Sequence, residues 1–208
     1  MNVSRFARAI ALGLAVAIAL PALAEAAPFR VYDPTTRAFV TYDLDRQDPS
    51  RPLDPQFQAQ VVSLASEEAP GTIIVDTQNK FLYYVLIDDM AIRYGVGVGR
   101  EGFGWSGTVK VGAKSQEWPT WTPPPEMIER RPELVKYAGG MPGGPDNPLG
   151  ARALYLFDNG RDTMFRIHGT NEPWSIGGNV SSGCIRMLNA HVSELAKMVE
   201  VGTKVIVM

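Results

Sequence analysis

From Gly71 onward the chain is cut into runs of strand length, and this punctuation constrains its fold more than any other feature. Thr72 to Val75, Phe81 to Ile87 and Ala91 to Val98 are rich in branched and aromatic residues, separated by Asp76 to Lys80 and by Asp88-Asp89. Such residues end strands and build turns, so a β-meander is the simplest reading. Half of the 16 prolines then fall between Pro119 and Pro148, together with Gly139, Gly140, Gly143 and Gly144. That stretch reads as a long Pro/Gly-rich loop with one short helix around Pro125 to Glu133. Loops of such length in a compact domain are functional or disordered. Strands resume at Ala153 to Phe157 and Met164 to His168. Val192, Leu195, Ala196 and Val199 then recur at helical spacing behind a candidate cap, Asn189; Gly202 ends that helix and Thr203 to Met208 closes as a strand. The expected class is mainly β with one or two short helices.

The first 70 residues differ in texture. Residues 1–24 read as a signal peptide: Arg5 and Arg8 form a positive start, Ala9 to Leu20 an apolar centre, and Ala22-Leu23-Ala24 a small-residue cleavage site. The apolar run is too short and Ala-rich for a membrane span, and no Cys near the cleavage site offers a lipid attachment point. The expected product is exported and soluble, with no stable membrane insertion after cleavage. Residues 25–70 read as an N-terminal extension, with alternating stretches at Phe29 to Tyr32 and Ala38 to Tyr42 that suit a hairpin.

The only cysteine, Cys184, lies sixteen residues after His168, one of two histidines, within HGTNEPWSIGGNVSSGCIRMLN. An exported chain with one Cys forms no internal disulfide, and an unused thiol in an oxidising space is a liability. A sulfur nucleophile needs thiolate, and a neighbouring imidazole is the usual means of lowering a thiol pKa from about 8.5. The leading reading is therefore Cys184 as nucleophile and His168 as base. The alternative is a small buried hydrophobe beside a satisfied core histidine. Ser181-Ser182-Gly183 is a small-residue turn in front of the nucleophile, so the Gly183 and Cys184 amides are candidates for an oxyanion hole. Arg186 is either a clamp for a substrate carboxylate or half of a structural ion pair. His191 reads as a surface residue in the first turn of the last helix, and Tyr155, Trp121 and Trp174 as cleft or core aromatics.

Other classes find little support. A formal charge of −2 with scattered basic residues and a pI near 5.7 lacks the footprint of a nucleic-acid binder. His168, His191 and Cys184 show no metal-ligand spacing, so no metal site is expected. Residues 97–102 match the GxGxxG dinucleotide pattern, but FGWSGTVKVG after them has no helical periodicity, and pyrophosphate binding needs a helix there. No Ser lies in the S-x-x-K or G-x-S-x-G contexts of serine acyl enzymes.

The run from Gly71 to Met208 resembles the catalytic domain of the L,D-transpeptidases, the YkuD-type family that crosslinks bacterial peptidoglycan. The resemblance rests on His168-Gly169, on Ser181-x-Gly183-Cys184-Ile185-Arg186, on Asn189, on Gly202-Thr203-Lys204-Val205, and on the stretches GTIIVDT and WPTWTPPPEM. Many members carry His where this chain has Ser182, and an acidic residue where it has His191. The extension before Gly71 shows no recognisable wall-binding repeat.

The resemblance implies a YkuD-like β-sandwich over residues 71–208 and a two-step acyl transfer without metal or organic cofactor. Cys184 would cleave the diaminopimelate–D-alanine bond of a tetrapeptide stem and hold the acyl group as a thioester. An amine from a second stem, or from an outer-membrane protein, would then take it. His168 would serve as base and acid, oriented through Nδ1 by the Gly169 carbonyl; Arg186 and Ser182 would contact substrate. The implied location is the periplasm. Two alternatives stand beside this: a hydrolase on the same scaffold, acting as an L,D-carboxypeptidase or amidase, and a non-catalytic peptidoglycan-binding module.

Overall fold

The computed structural model describes residues 29–33, 38–42, 53–101, 103–144 and 146–208. The signal-peptide reading lies outside the described residues. Strands β1 (Phe29–Asp33) and β2 (Ala38–Tyr42) pair antiparallel with Val31 opposite Val40. A short 3-10 turn, Pro55–Phe57, follows; Asp54 caps it by accepting the Gln56 N–H at 3.1 Å. It leads into β3 (Gln60–Ser63).

The meander is built from β4 (Ile73–Asp76), β5 (Phe81–Val85) and β6 (Met90–Gly95). After them come β7 (Val98–Gly99), β8 (Gly107–Lys114), α1 (Pro125–Arg130) and a 3-10 turn at Pro132–Tyr137. The helix stops there because Pro132 disfavours helical backbone at Arg131, which sits at φ −140°, ψ 77°. The chain continues through β9 (Ala153–Asp158), β10 (Arg161–His168), β11 (Asn179–Ser181), β12 (Ile185–Arg186), α2 (Asn189–Met198) and β13 (Lys204–Val207). The glycine run at 97–102 thus leads to a strand, β8.

Nine strands form one sheet in the order β12-β10-β9-β8-β13-β4-β5-β6-β3, and β7 pairs with β11 in a second, two-stranded sheet. The large sheet bends round on itself, for Gly97, just after β6, exchanges both backbone bonds with Arg186 of β12 (2.9 and 2.8 Å). Its two halves therefore enclose one core containing Ile73, Leu82, Ile92, Leu154, Leu156, Ile167 and Ile185, with Val192 and Leu195 of α2 packed in. The class is mainly β with short helices, as the strand-length punctuation implies. Among the described residues no helix is long and apolar enough to cross a membrane.

Residues upstream of Gly71 take part in this sheet. β3 pairs with β6 from Gln60↔Arg93 to Ser63↔Met90, and Leu53, Ile176 and Leu188 form a small second cluster capped by Phe57. Phe57 is a wedge. A Cβ on Gly95 would meet its backbone at 2.6 Å, and one on Gly177, at φ +86°, would meet its ring at 2.2 Å. The ring thereby ties the end of β6 to the turn before β11.

Phe57→Ala leaves a void between these glycines. We expect a loss of about 3 kcal/mol, the lower end for buried phenylalanines because this ring is only half-buried. Urea unfolding of the two proteins measures it, and a change below about 0.5 kcal/mol would mean the wedge bears no load.

Candidate active site

The site is assembled by a short parallel pairing. β10 and β12 lie side by side with Ile167 opposite Ile185 and His168 opposite Arg186. One residue back along this register, Cys184 falls opposite Arg166. Side chains alternate along a strand, so Ile167 and Ile185 enter the core at 0% and 1% exposure. Arg166, His168, Cys184 and Arg186 share the other face. His168 and Cys184 are thus diagonal neighbours on that face.

The imidazole is held from behind. His168 is buried, and its Nδ1 lies 2.6 Å from the Gly169 carbonyl oxygen, which makes Nδ1 the protonated nitrogen and leaves Nε2 unprotonated. Cys184 is half-buried. The Ser181 hydroxyl donates to the Cys184 carbonyl at 2.6 Å and accepts the Gly183 N–H at 3.1 Å. The Gly183 amide, expected as an oxyanion donor, is therefore engaged by Ser181 in the resting structure. Gly183 itself is required: its φ is +109°, and a Cβ there would meet the Phe165 ring at 2.4 Å. Trp105 stacks on Phe165 with centroids 4.6 Å apart and donates from Nε1 to the Gly183 carbonyl at 3.0 Å. A cleft of about 560 Å³ adjoins this turn, walled by Val98, Gly99, Arg100, Trp105, Gly183 and Ile185.

Two arginines flank the pair. Arg186 binds Glu172 at 2.5 Å, so the structural-pair reading of this residue is realised in the resting protein. Arg166 makes a two-pronged bond to Asp162 at 2.7 and 2.8 Å and lies 4.5 Å over the Tyr155 ring. Ser182 is exposed.

Burial sets the protonation states. The His168 pKa falls from 6.5 to about 4, first through desolvation and then through the Arg186 charge, against the support of the Gly169 and Pro148 carbonyls. Cys184 is pushed up by desolvation, which outweighs a backbone hydrogen bond from Arg166 and the charges of Arg166 and Arg186. The resting pair is thus a thiol beside a neutral imidazole. A thiolate stabilised by its neighbour, the sequence expectation, is not the resting state, because burial penalises both ions.

A family model for the L,D-transpeptidase catalytic domain, YkuD, matches residues 70–207. The chain belongs to this family. Two probable L,D-transpeptidases of Escherichia coli strain K12 are similar to it: ErfK/SrfK at 38% identity, covering 64% of this chain and 42% of the relative, and YbiS at 37%, covering 65% and 43%. The chain thus spans less than half the length of these curated relatives. A Brucella melitensis protein, whose crystal structure is described as a probable carnitine operon oxidoreductase, is 46% identical; the match covers 75% of this chain and 96% of that one at a TM-score of 0.52.

Within this YkuD domain, the contacts of three residues near the site escaped the sequence reading. Arg166 and Asp162 are four apart in a strand whose register is broken by a bulge between them, so simple alternation hides their pairing. Ser181 was read as a turn and motif residue, without its bonds to Gly183 and Cys184. Asn189 is not the helix cap expected of it; the N-cap is Leu188, with no side-chain cap bond, and Asn189 reaches instead to Ala151 and Thr170. His191 is corrected as well. It is 1% exposed, its ring centroid 5.3 Å from that of Tyr94, because its place four residues before Leu195 puts it on the inner face of α2.

His191, like His168, has its pKa lowered to about 4 by burial. A depressed folded-state value means that the unfolded chain takes up protons first as pH falls. The stability these two groups confer is complete above pH 6.5 and drains away as pH falls toward 4. Each contributes a slope of up to about 1.4 kcal/mol per pH unit in that window. His191→Phe should therefore show a shallower decline of urea-unfolding free energy between pH 6.5 and 4 than wild type. Equal slopes for the two would refute a buried neutral His191.

Proposed function

We propose that this chain is an exported L,D-transpeptidase acting on peptidoglycan tetrapeptide stems. The observation that carries the reading is the Nδ1 to Gly169 oxygen contact of 2.6 Å, on a ring that shares one strand face with the chain's only cysteine. A buried, oriented, neutral imidazole beside a thiol is a general base with its nucleophile. The E. coli relatives bear the transpeptidase name, and the chain's membership of their family supports extending the chemistry to it. The oxidoreductase description of the Brucella protein finds no counterpart at residues 97–102, where β8 follows in place of a nucleotide-binding helix.

In the first half-reaction His168 Nε2 takes the Cys184 proton as sulfur attacks the carbonyl of the third stem residue, typically diaminopimelate. The C–N bond to the terminal D-alanine then breaks, and the imidazolium gives its proton to the departing amine. A thioester remains. In the second half an amine attacks that thioester, its proton passes to Nε2 and then to sulfur, and the thiol is restored. The amine comes from the side chain of another stem or from an outer-membrane protein, and the reaction takes place in the periplasm. Arg186 contacts a stem carboxylate only by sharing or exchanging its bond to Glu172. Moving a proton from a raised thiol to a lowered imidazole is unfavourable in the empty site; a carboxylate near Arg186 offsets the guanidinium charge that depresses His168.

Cys184→Ala should abolish both product and acyl-enzyme while keeping the fold, since the side chain is small. Mass analysis after incubation with tetrapeptide muropeptides and, separately, with a carbapenem should show a crosslinked dimer and a one-drug adduct for wild type and neither for the variant. A free tripeptide in place of the dimer would favour the hydrolase; turnover by Cys184→Ala would remove the nucleophile assignment.

A further inference from the structure

The peptide unit between Gly169 and Thr170 is gripped at both ends. Its carbonyl receives the His168 Nδ1–H at 2.6 Å, and its N–H donates to Asn189 Oδ1 at 3.1 Å. In a trans peptide these two groups point in opposite directions across one rigid plane, so holding the N–H fixes where the carbonyl aims. The Asn189 amide does more than this. Its Nδ2 donates to the Thr170 carbonyl at 2.9 Å, and Oδ1 also accepts the Ala151 N–H at 3.0 Å. It therefore stitches together the two loops beside the imidazole, that of Gly169-Thr170 and that of Gly150-Ala151. The approach is so close that a Cβ on Gly150 or Gly169 would stand 2.1 or 2.2 Å from Oδ1. An asparagine at a helix start ordinarily spends its side chain on its own helix; this one spends all three bonds outside it.

We propose that Asn189 is a positioning residue of the catalytic centre, holding the peptide plane whose carbonyl fixes the His168 ring with Nδ1 protonated and Nε2 free to act as base. The proposal rests on the reading of His168 as the base for Cys184. The chain of contacts runs from the Asn189 oxygen through the peptide to Nδ1, on a ring that shares a strand face with Cys184. It places a neutral amide and one peptide unit where other acyl transfer sites use a carboxylate. Hydrogen bonds in series polarise one another, so Asn189 strengthens the Gly169 carbonyl as an acceptor as well as aiming it.

The test compares wild type, Asn189→Ala and Asn189→Asp by nitrogen-15 NMR of the His168 ring and by single-turnover acylation with a carbapenem followed by mass. Wild type should show the Nδ1–H tautomer. Asn189→Ala should mix the two tautomers and slow acylation by about 100-fold, the effect of misplacing a catalytic group by about 1 Å. Asn189→Asp keeps the acceptor for Ala151 and Thr170 but loses the donor, and should retain the tautomer and stay within about tenfold of wild type. A purely structural role would lower stability and leave the tautomer ratio of the folded protein unchanged. If Asn189→Ala does not fold, as judged by circular dichroism, Asn189→Ser takes its place, because its shorter side chain cannot reach both loops. A folded Ala or Ser variant with the wild-type tautomer and acylation rate overturns the proposal. The tautomer readout needs no activity, so a wild type that carbapenem fails to acylate would count against the transpeptidase reading alone.

Discussion

The structure depends on how a two-residue strand is held on both edges. β12 is far too short to stand alone, yet it pairs with β10 on one side and exchanges two backbone bonds with Gly97 on the other. The Met187 N–H adds a third tie, to the His168 carbonyl at 2.8 Å. The second edge demands a glycine, since a Cβ at Gly97 would come within 2.7 Å of the Ser175 carbonyl oxygen. Closing the bent sheet and placing Cys184 are therefore one event. The backbone before Cys184 is locked by Ser181 and Trp105 and the backbone after it by Gly97, so little rotational freedom remains to be lost when a substrate binds.

That rigidity is obtained in a site with opposing electrostatic demands. Arg166 and Arg186 share a strand face with Cys184 and His168, and their charges favour the thiolate but disfavour the imidazolium. Asp162 and Glu172 offset these charges from the rim, which keeps the resting face close to neutral. Desolvation then decides the resting state, and both Cys184 and His168 stay uncharged. A neutral thiol is a poorer target for oxidants than a thiolate.

Legibility in the sequence followed local periodicity. β4, β5, β6, β9, β13 and the end of β10 alternate or run apolar, and each was readable. β8 was not, because Gly107 and Gly112 dilute its pattern; Gly112 lies where a Cβ would strike the Phe157 ring at 2.2 Å, a contact across the β8–β9 pair that no local window contains. β3 is only four residues long, two valines between Gln60 and Ser63, and its pairing with β6 is what makes it a strand. At the site, the chemistry-bearing residues and their order were plain. The direction of each interaction was not: Gly183 turned to Ser181, Arg186 to Glu172, and Asn189 away from its own helix. Each of these partners comes from a separate element or a tight turn, where spacing in the chain carries no information about distance.

The long Pro/Gly-rich loop shows the same limit most sharply, since its composition fits an ordered functional loop and a disordered one equally well. A single side chain orders it at its base. Asn147, fully buried, donates from Nδ2 to the carbonyls of Pro119, Met141 and Pro142 and accepts the Leu149 N–H at 2.9 Å. A buried amide with its donors and acceptor engaged costs little to keep and much to remove. Gly143 packs under the Trp118 carbonyl so tightly that no side chain fits there. Both ends of the loop are thereby drawn to the residue before Pro148, whose carbonyl supports the His168 ring. A segment that reads as a connection in the sequence ends as part of the wall behind the His168 ring.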